Sequence, residues 1–137
     1  MEKNITCFIG LDVHKDSIAI ASAEAGRELP RFVGTVGPEL TQLLKALKSL
    51  GSPENLLVVY EAGPCGYGLV RQLCSRGYAC EVIAAGRITR PPGERIKTDR
   101  RDALTLARLA RSGDLIQVRV PDERDEAIRD LSRARQP

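Results

Sequence analysis

A chain of 137 residues with 42% apolar and 28% charged residues has the size and composition of one ordinary globular domain. It has no apolar run long enough to span a membrane, and its first residues lack a signal peptide, so we expect a cytoplasmic protein without a membrane partner. The net charge of +3 is too small to identify a nucleic-acid binder by itself.

The cysteine pattern excludes a zinc site. The chain has one histidine, His14, and four cysteines, Cys7, Cys65, Cys74 and Cys80. These residues do not occur at the short, recurring spacings that zinc ligands need. We expect these thiols to be free, in a reducing compartment. Any bound metal should therefore be a hard cation on oxygen ligands.

The first third of the chain predicts three antiparallel strands. Residues 5–13 form a near-continuous apolar run, typical of a central strand covered on both faces. The alternating segment 17–23 follows a short polar break and predicts a hairpin, and Arg31–Val36 is predicted as a third strand. The connections are too short for a crossover, so these strands should pair antiparallel.

From residue 38 the apolar period becomes helical. A helix with proline in its first turn and a stripe of leucines is predicted to end at Gly51. Residues 56–61 predict a buried strand, 67–76 a helix and 78–83 another strand. Because strand-helix-strand connections are right-handed crossovers, this half of the sheet should be parallel.

The remaining sequence predicts a loop over 84–98, a helix over 99–111 and a charged helical segment after Pro121. The order β-β-β-α-β-α-β-α predicts a mixed α/β sheet of five strands, with an antiparallel hairpin unit, then parallel strands, and helices on both faces. We expect a domain over 1–113 and an extension over 114–137.

Two acids end predicted strands. Asp12 interrupts the apolar run of the first strand, and Glu61 ends the fourth. If these strands are neighbours, both carboxylates lie at the sheet edge where ligands of α/β proteins bind. An acid in such a place is costly unless a cation holds it. The alternative is that each acid simply begins a loop.

Two further acids, Asp99 and Asp102, share one face of the last predicted helix. They could serve only as an N-cap and a first-turn acid. On a helical wheel, however, they fall with the apolar residues, whereas the arginines fall opposite, and only Leu104 is out of place. Four inward carboxylates predict two Mg²⁺ ions, with Mn²⁺ as an alternative, for in-line phosphodiester displacement.

Basic residues concentrate around that helix. From Gly86 to Arg111 there are eight basic and three acidic residues, and eight minus three leaves +5. A solvated face would explain this bias. Contacts with a nucleic-acid backbone would explain it too, and the residues predicted for that role are Lys15, Arg87, Arg90, Arg95, Lys97, Arg100, Arg101 and Arg108.

Two smaller features leave alternatives open. The glycines Gly63, Gly66 and Gly68 follow the fourth strand and could form a phosphate cradle, although a tight turn beside Glu61 is the simpler interpretation. His14 could orient substrate beside Asp12, or it could be a turn residue without a chemical role.

Three motifs in chain order resemble the DEDD transposases of the IS110 family of insertion sequences, including its eleven-eleven subgroup: Gly10-Leu11-Asp12-Val13-His14-Lys15, Tyr60-Glu61-Ala62-Gly63-Pro64-Cys65-Gly66-Tyr67-Gly68 and Lys97-Thr98-Asp99-Arg100-Arg101-Asp102-Ala103. The resemblance implies an RNase H-like (RuvC-like) N-terminal domain whose tetrad is Asp12, Glu61, Asp99 and Asp102. It also implies Mg²⁺, DNA, an element-encoded bridge RNA and a homo-oligomer. In that family a C-terminal domain adds a nucleophilic serine, and the chain, which stops at Pro137, is expected to lack it.

The first functional hypothesis is therefore a transposase domain for metal-dependent cleavage and transfer of DNA strands. The second is a nucleic-acid-binding module without turnover. A third is a sugar-kinase or actin-like ATPase, whose fold also opens with a strand, an acid and a hairpin. That class needs glycine and a hydroxyl residue after the acid, where His14 and Lys15 stand, and a chain long enough for two lobes.

Overall fold

The computed structural model describes residues 4–62, 67–84 and 99–115, with the side chains of the last segment described from Asp102 onward. Its strands and helices lie within about two residues of their predicted bounds. In chain order they are β1 (Cys7–Val13), β2 (Ile18–Glu24), β3 (Arg31–Val36), α1 (Leu40–Leu50), β4 (Leu56–Glu61), α2 (Gly68–Ser75), β5 (Ala79–Ile83) and α3 (Asp99–Ser112). A turn of 3₁₀ helix before β4, Pro53–Asn55, was not predicted.

The strands form one mixed sheet in the order β3-β2-β1-β4-β5. β1 pairs antiparallel with β2 and parallel with β4, and β5 continues the parallel half. This arrangement confirms the predicted RNase H-like α/β class. It also makes β1 the central strand, which explains its near-continuous apolar sequence.

One face of the sheet packs against α1 and α2. Ile9 and Leu11 of β1 point to this side, where Leu43 and Leu47 of α1 and Leu73 of α2 complete a fully buried core. Because side chains alternate along a strand, the even-numbered residues of β1 point to the opposite face. That face is covered by α3, so helices lie on both faces as predicted.

The α3 side is built from small residues. Ala19, Ala21 and Ala23 of β2 pack against Ala103 and Ala107 of α3, and all five are fully buried. Alanine against alanine lets the helix backbone approach the sheet closely, since no long side chain separates them.

Gly10 of β1 brings α3 closest to the sheet. A Cβ atom at this position would lie 2.6 Å from the backbone nitrogen of Ala107 and 2.8 Å from the Cβ of Leu106. The helix therefore rests on the backbone of β1 itself. Glycine inside a strand often marks such a close approach, and here it sets the distance between α3 and the sheet.

The end of α3 is a glycine-terminated turn. Gly113 adopts a φ of 78°, a left-handed conformation that glycine accepts at little cost. Its N–H and that of Asp114 both donate to the carbonyl of Leu109, at 3.0 and 3.1 Å. The predicted loop over 84–98 and the extension after residue 115 fall almost wholly outside the described residues. Among the residues described, none of the helices has the length and apolarity needed to cross a bilayer.

Candidate active site at the carboxyl end of the central strands

Asp12 and Glu61 stand at the carboxyl ends of neighbouring parallel strands. The register of β1 and β4 pairs Leu11 with Tyr60, so the next position along each strand holds an acid. Leu11 and Tyr60 point to the α1 and α2 side. The alternation therefore directs Asp12 and Glu61 toward α3. Asp12 is 9% exposed, and Glu61 is half-buried.

The direction of α3 follows from its last turn. Arg111 donates from Nη1 to the carbonyls of Glu24 at 3.2 Å and Glu28 at 2.5 Å. Glu24 pairs with Cys7, the first residue of β1. The C-terminal end of α3 thus lies over the beginning of β1, and the helix runs antiparallel to that strand.

The lengths of α3 and β1 show where Asp102 lies along the sheet. Nine residues of helix separate it from Arg111, a rise of about 13 Å. Five residues of strand separate Cys7 from Asp12, a rise of about 16 Å. Asp102 therefore lies at the end of the sheet that carries Asp12 and Glu61. The helix begins at Asp99, nearly one turn further toward that end.

Asp102 points inward, as the helical wheel predicted. Its exposed fraction is 5%, and the next residue, Ala103, is fully buried beneath the helix. Arg108 is exposed on the opposite side, also as predicted. Leu104, which the wheel left on the outer side, is in fact half-buried against the alanine cluster, because α3 lies low enough for its flank to reach β2.

The prediction for Arg111 was wrong. We expected it, with the other arginines of the helix, on the outward basic face, but it is only partly exposed and its guanidinium is bonded to the carbonyls of Glu24, the last residue of β2, and of Glu28 in the β2–β3 connection. Its role in this structure is to hold the end of α3 to the hairpin, at the opposite end of the helix from Asp102. The sequence gives no sign of this bond, since it joins positions more than eighty residues apart.

His14 lies directly beside Asp12. Its Nε2 is 2.8 Å from Oδ2 of Asp12, and its side chain is 38% exposed where that of Asp12 is 11% exposed. The backbone N–H of His14 donates to the carbonyl of Ser17 at 2.8 Å and closes the β1–β2 turn. His14 is thus both a turn residue and the hydrogen-bond partner of the buried acid.

The chemistry of these donors fits a hard divalent cation. The residues that would hold one are Asp12, Glu61 and Asp102, with Asp99 as the fourth, and all offer carboxylate oxygens of the kind Mg²⁺ prefers. The N-terminal end of α3 adds the positive end of its dipole to the same region. In the described segments, no three His, Cys, Asp or Glu side chains stand close enough together to hold a metal ion. The side chain of Asp99 lies outside that description.

The other predicted residues divide into two groups. Lys15 is exposed in the turn next to His14, and with Arg108 it is one of two predicted nucleic-acid contacts whose side chains are described. The side chains of Arg87, Arg90, Arg95, Lys97, Arg100 and Arg101 lie outside the described residues, as do Gly63, Gly66 and Cys65. Three of the four cysteines are free as expected: Cys7, Cys74 and Cys80.

Sequence reasoning missed one residue next to the site. Tyr60 is only 1% exposed. Its hydroxyl accepts a hydrogen bond from the backbone N–H of Val70 at 3.1 Å. Val70 is in the first turn of α2, where backbone N–H groups have no partner within the helix. The bond joins β4 to α2 across the segment that follows Glu61. A tyrosine in an otherwise aliphatic strand was the available signal, because a buried hydroxyl needs a partner.

Comparison with known sequences places these residues in context. The DEDD transposase family of IS110, described as "Transposase", matches residues 9–137. The chain is 49% identical over 130 residues to y4qE of Sinorhizobium fredii, which is named as a candidate transposase. It is 40% identical over 130 residues to the transposase for insertion sequence element IS1533 of Leptospira borgpetersenii.

These relatives are longer proteins. Each alignment covers 93% of this chain, but only 33% of y4qE and 38% of the IS1533 transposase. The chain therefore spans about a third of the length of the relatives that it matches. The family match includes all four acids and the whole of the charged segment from 114 to 137.

Proposed function

Because this chain belongs to the IS110 family of DEDD transposases, we propose that it is a RuvC-like catalytic domain for Mg²⁺-dependent cleavage and transfer of DNA strands during transposition of an insertion sequence. The observation that carries the proposal is that Asp12, Glu61 and Asp102 lie on the same face and toward the same end of the sheet. These acids lie far apart in the sequence, and capping or solvation gives no reason for all three to be placed at the same end of the same face.

The burial of two of these acids supports a cation. Asp12 and Asp102 are 9% and 5% exposed. Carboxylates in such surroundings repel each other and lose hydration unless positive charge offsets both effects. Two divalent ions, when bound, supply that charge, activate a nucleophile and stabilise the leaving oxygen. Asp12, Glu61, Asp99 and Asp102 would hold them, and the low-lying α3 would keep bulk water from the rear of the site.

The DNA backbone would run past this end of the sheet on exposed basic side chains. Lys15 in the β1–β2 turn and Arg108 on the outer side of α3 are accessible for such contacts. Lysine and arginine bound to phosphates fix the register of a protein on DNA without reading sequence. We extend the same role to Arg87, Arg90, Arg95, Lys97, Arg100 and Arg101.

Further parts of the proposal rest on the family resemblance. They are a bridge RNA, assembly as a homo-oligomer, cytoplasmic location and a nucleophilic serine supplied by a further domain. Membership of the transposase family decides against the sugar-kinase or actin-like alternative.

Titration of Mg²⁺ into the purified chain tests the site. We expect Asp12→Asn and Asp102→Asn to abolish binding, because each removes a charged oxygen ligand. The matched controls are Asp16→Asn and Glu54→Gln, which change exposed acids that are not among the proposed metal ligands and should bind like the parent. Equal binding by the parent and both site variants would refute the proposed metal site.

Nicking of branched and duplex DNA, labelled at one end, tests the activity. Product should require Mg²⁺ or Mn²⁺ and disappear in Asp102→Asn. The assay is run with the chain alone and with the remaining C-terminal part of the IS1533 transposase added, since that relative extends well beyond the aligned region. Metal-dependent product in neither case would refute cleavage by this domain.

A binding module without turnover is the second candidate. It is favoured by the finding that the described side chains contain no assembled three-ligand metal cluster. It predicts salt-sensitive DNA or RNA binding that is unchanged by Asp12→Asn and weakened by Lys15→Gln and Arg108→Gln. Mobility shifts at two salt concentrations measure this binding, and the nicking assay separates the two candidates: binding without metal-dependent product favours the module, whereas product that Asp102→Asn abolishes favours the catalytic proposal.

A further inference from the structure

His14 contacts the acid that the proposed function depends on most. Asp12 is the buried carboxylate of the central strand, and its Oδ2 is 2.8 Å from Nε2 of His14. A metal-binding carboxylate seldom acts alone, because its orientation is set by hydrogen bonds from neighbouring groups. The imidazole is placed to be such a neighbour.

The imidazole is itself held in place by its backbone. The N–H of His14 donates to the carbonyl of Ser17 at 2.8 Å, which closes the turn after β1. His14 and Asp12 are two residues apart, so their side chains leave the chain on the same side of the extended backbone. The contact therefore needs no long or flexible side chain to reach across the site, and little conformational entropy is lost in making it.

The partial exposure of His14 also separates it from a core residue. Its side chain is 38% exposed, in contrast to 11% for Asp12, so packing alone does not fix the ring. The polar groups described on the elements around it are few: Lys15 and Asp16 of the same turn are exposed, Glu61 is half-buried on β4, and Asp102 is buried on α3.

We infer that His14 is a positioning residue, which donates from Nε2 to Oδ2 of Asp12 and fixes the plane of that carboxylate for a divalent cation. This inference rests on the proposed function, since it assigns His14 a role toward the same metal site. It also replaces the simpler interpretation of His14 as a turn residue alone. Loss of the donor removes one restraint on the orientation of the Asp12 carboxylate, so part of the binding free energy of the cation is then spent on ordering that carboxylate.

Two substitutions separate the hydrogen bond from the bulk of the ring. His14→Ala removes the donor, and His14→Gln keeps an amide N–H at a similar distance from the backbone. Loss of a group that orients a metal ligand typically lowers affinity by about 10- to 100-fold. We expect Mg²⁺ titration to show at least a tenfold loss for His14→Ala and recovery to within about threefold of the parent for His14→Gln.

The parent protein offers a second, independent readout. His14 is the only histidine in the sequence, so the imidazole region of a ¹⁵N NMR spectrum reports this residue alone. Addition of Mg²⁺ to the full chain should shift the Nε2 resonance in the parent and leave it unmoved in Asp12→Asn. This measurement needs no substitution at His14 and so cannot fail through misfolding of that variant.

The outcomes distinguish this inference from the proposed function. If Asp12→Asn and Asp102→Asn bind Mg²⁺ like the parent, the metal site itself is wrong. If those variants lose binding while His14→Ala binds like the parent, only the role of His14 is overturned. Equal losses in His14→Ala and His14→Gln would overturn it too, since they would mean that the ring itself is required. Asp16→Asn, in the same turn, is the control that should leave both readouts unchanged.

Discussion

Replacement of Gly10 by alanine should lift α3 from the sheet. The added Cβ would lie 2.6 Å from the nitrogen of Ala107 and 2.8 Å from the Cβ of Leu106, whereas nonbonded atoms prefer about 3.5–4.0 Å. The helix must therefore move away by about 1 Å, and overpacking of this kind costs about 1–3 kcal/mol of unfolding free energy. The φ of Gly10 is not positive, so the backbone itself accepts alanine and the contact alone causes the loss.

Urea unfolding followed by circular dichroism measures this loss, and Mg²⁺ titration measures its consequence. Asp102 directly precedes Ala103, one of the residues under which Gly10 lies, so the shift should carry Asp102 away from Asp12 and weaken cation binding. Gly68→Ala is the matched control, because a Cβ at Gly68 meets no atom within 4 Å. A Gly10→Ala protein as stable as the parent, with unchanged Mg²⁺ affinity, would refute the close packing of α3 on β1.

Three further predictions concern bonds and thiols around this framework. Tyr60→Phe leaves the buried N–H of Val70 without its hydroxyl acceptor and should lower the unfolding free energy by about 1–3 kcal/mol in urea titration. Arg111→Met removes two bonds to carbonyls at the surface and should cost about 1 kcal/mol by the same measurement. Cys74 is exposed and should react with iodoacetamide at pH 8 within minutes. Cys80 is partly buried. Its burial, with smaller contributions from Cys74 and Glu81, raises the pKa of the Cys80 thiol far above that pH. Peptide mapping should therefore find Cys80 protected in the folded protein.

Each of these predictions has a control variant or an outcome that would contradict it. Arg108→Met removes an exposed arginine from the same helix and should leave stability within about 0.5 kcal/mol of the parent. A Tyr60→Phe protein of parental stability would mean that water replaces the hydroxyl. Alkylation of Cys80 as fast as that of Cys74 would contradict the protection expected from its partial burial, and the rate for Cys80 should rise with pH because more of the thiol is then ionised.

The strands and helices were predictable because each carries one strong periodic signal. β3 and β4 have the predicted bounds, since β3 lies between Pro30 and Gly37 and the apolar run of β4 ends at Glu61. The mixed sheet followed from connection lengths, as hairpins are short and crossovers contain a helix. The inward face of α3 was readable at Asp102 because the wheel sets it beside Ala103 and Leu106.

What the sequence could not predict depends on contacts between distant positions. Arg111 looks like any basic residue on an exposed helix face until the β2–β3 connection is seen beneath it. The short distance between α3 and the sheet could not be predicted either. Gly10 is only one glycine in an apolar run, and its effect on packing depends on which helix crosses it. The bond from His14 to Asp12 depends on the shape of a turn, which the identities of these two residues do not define.

The central claim is that acids distant in the sequence share a cation at one end of the sheet. A crystal of this chain soaked in Mn²⁺ and measured at the manganese absorption edge tests it most directly. We expect an anomalous difference peak in contact with the carboxylates of Asp12 and Asp102. A fully occupied peak elsewhere on the protein, or no peak beside these carboxylates at saturating Mn²⁺, would contradict the shared cation site.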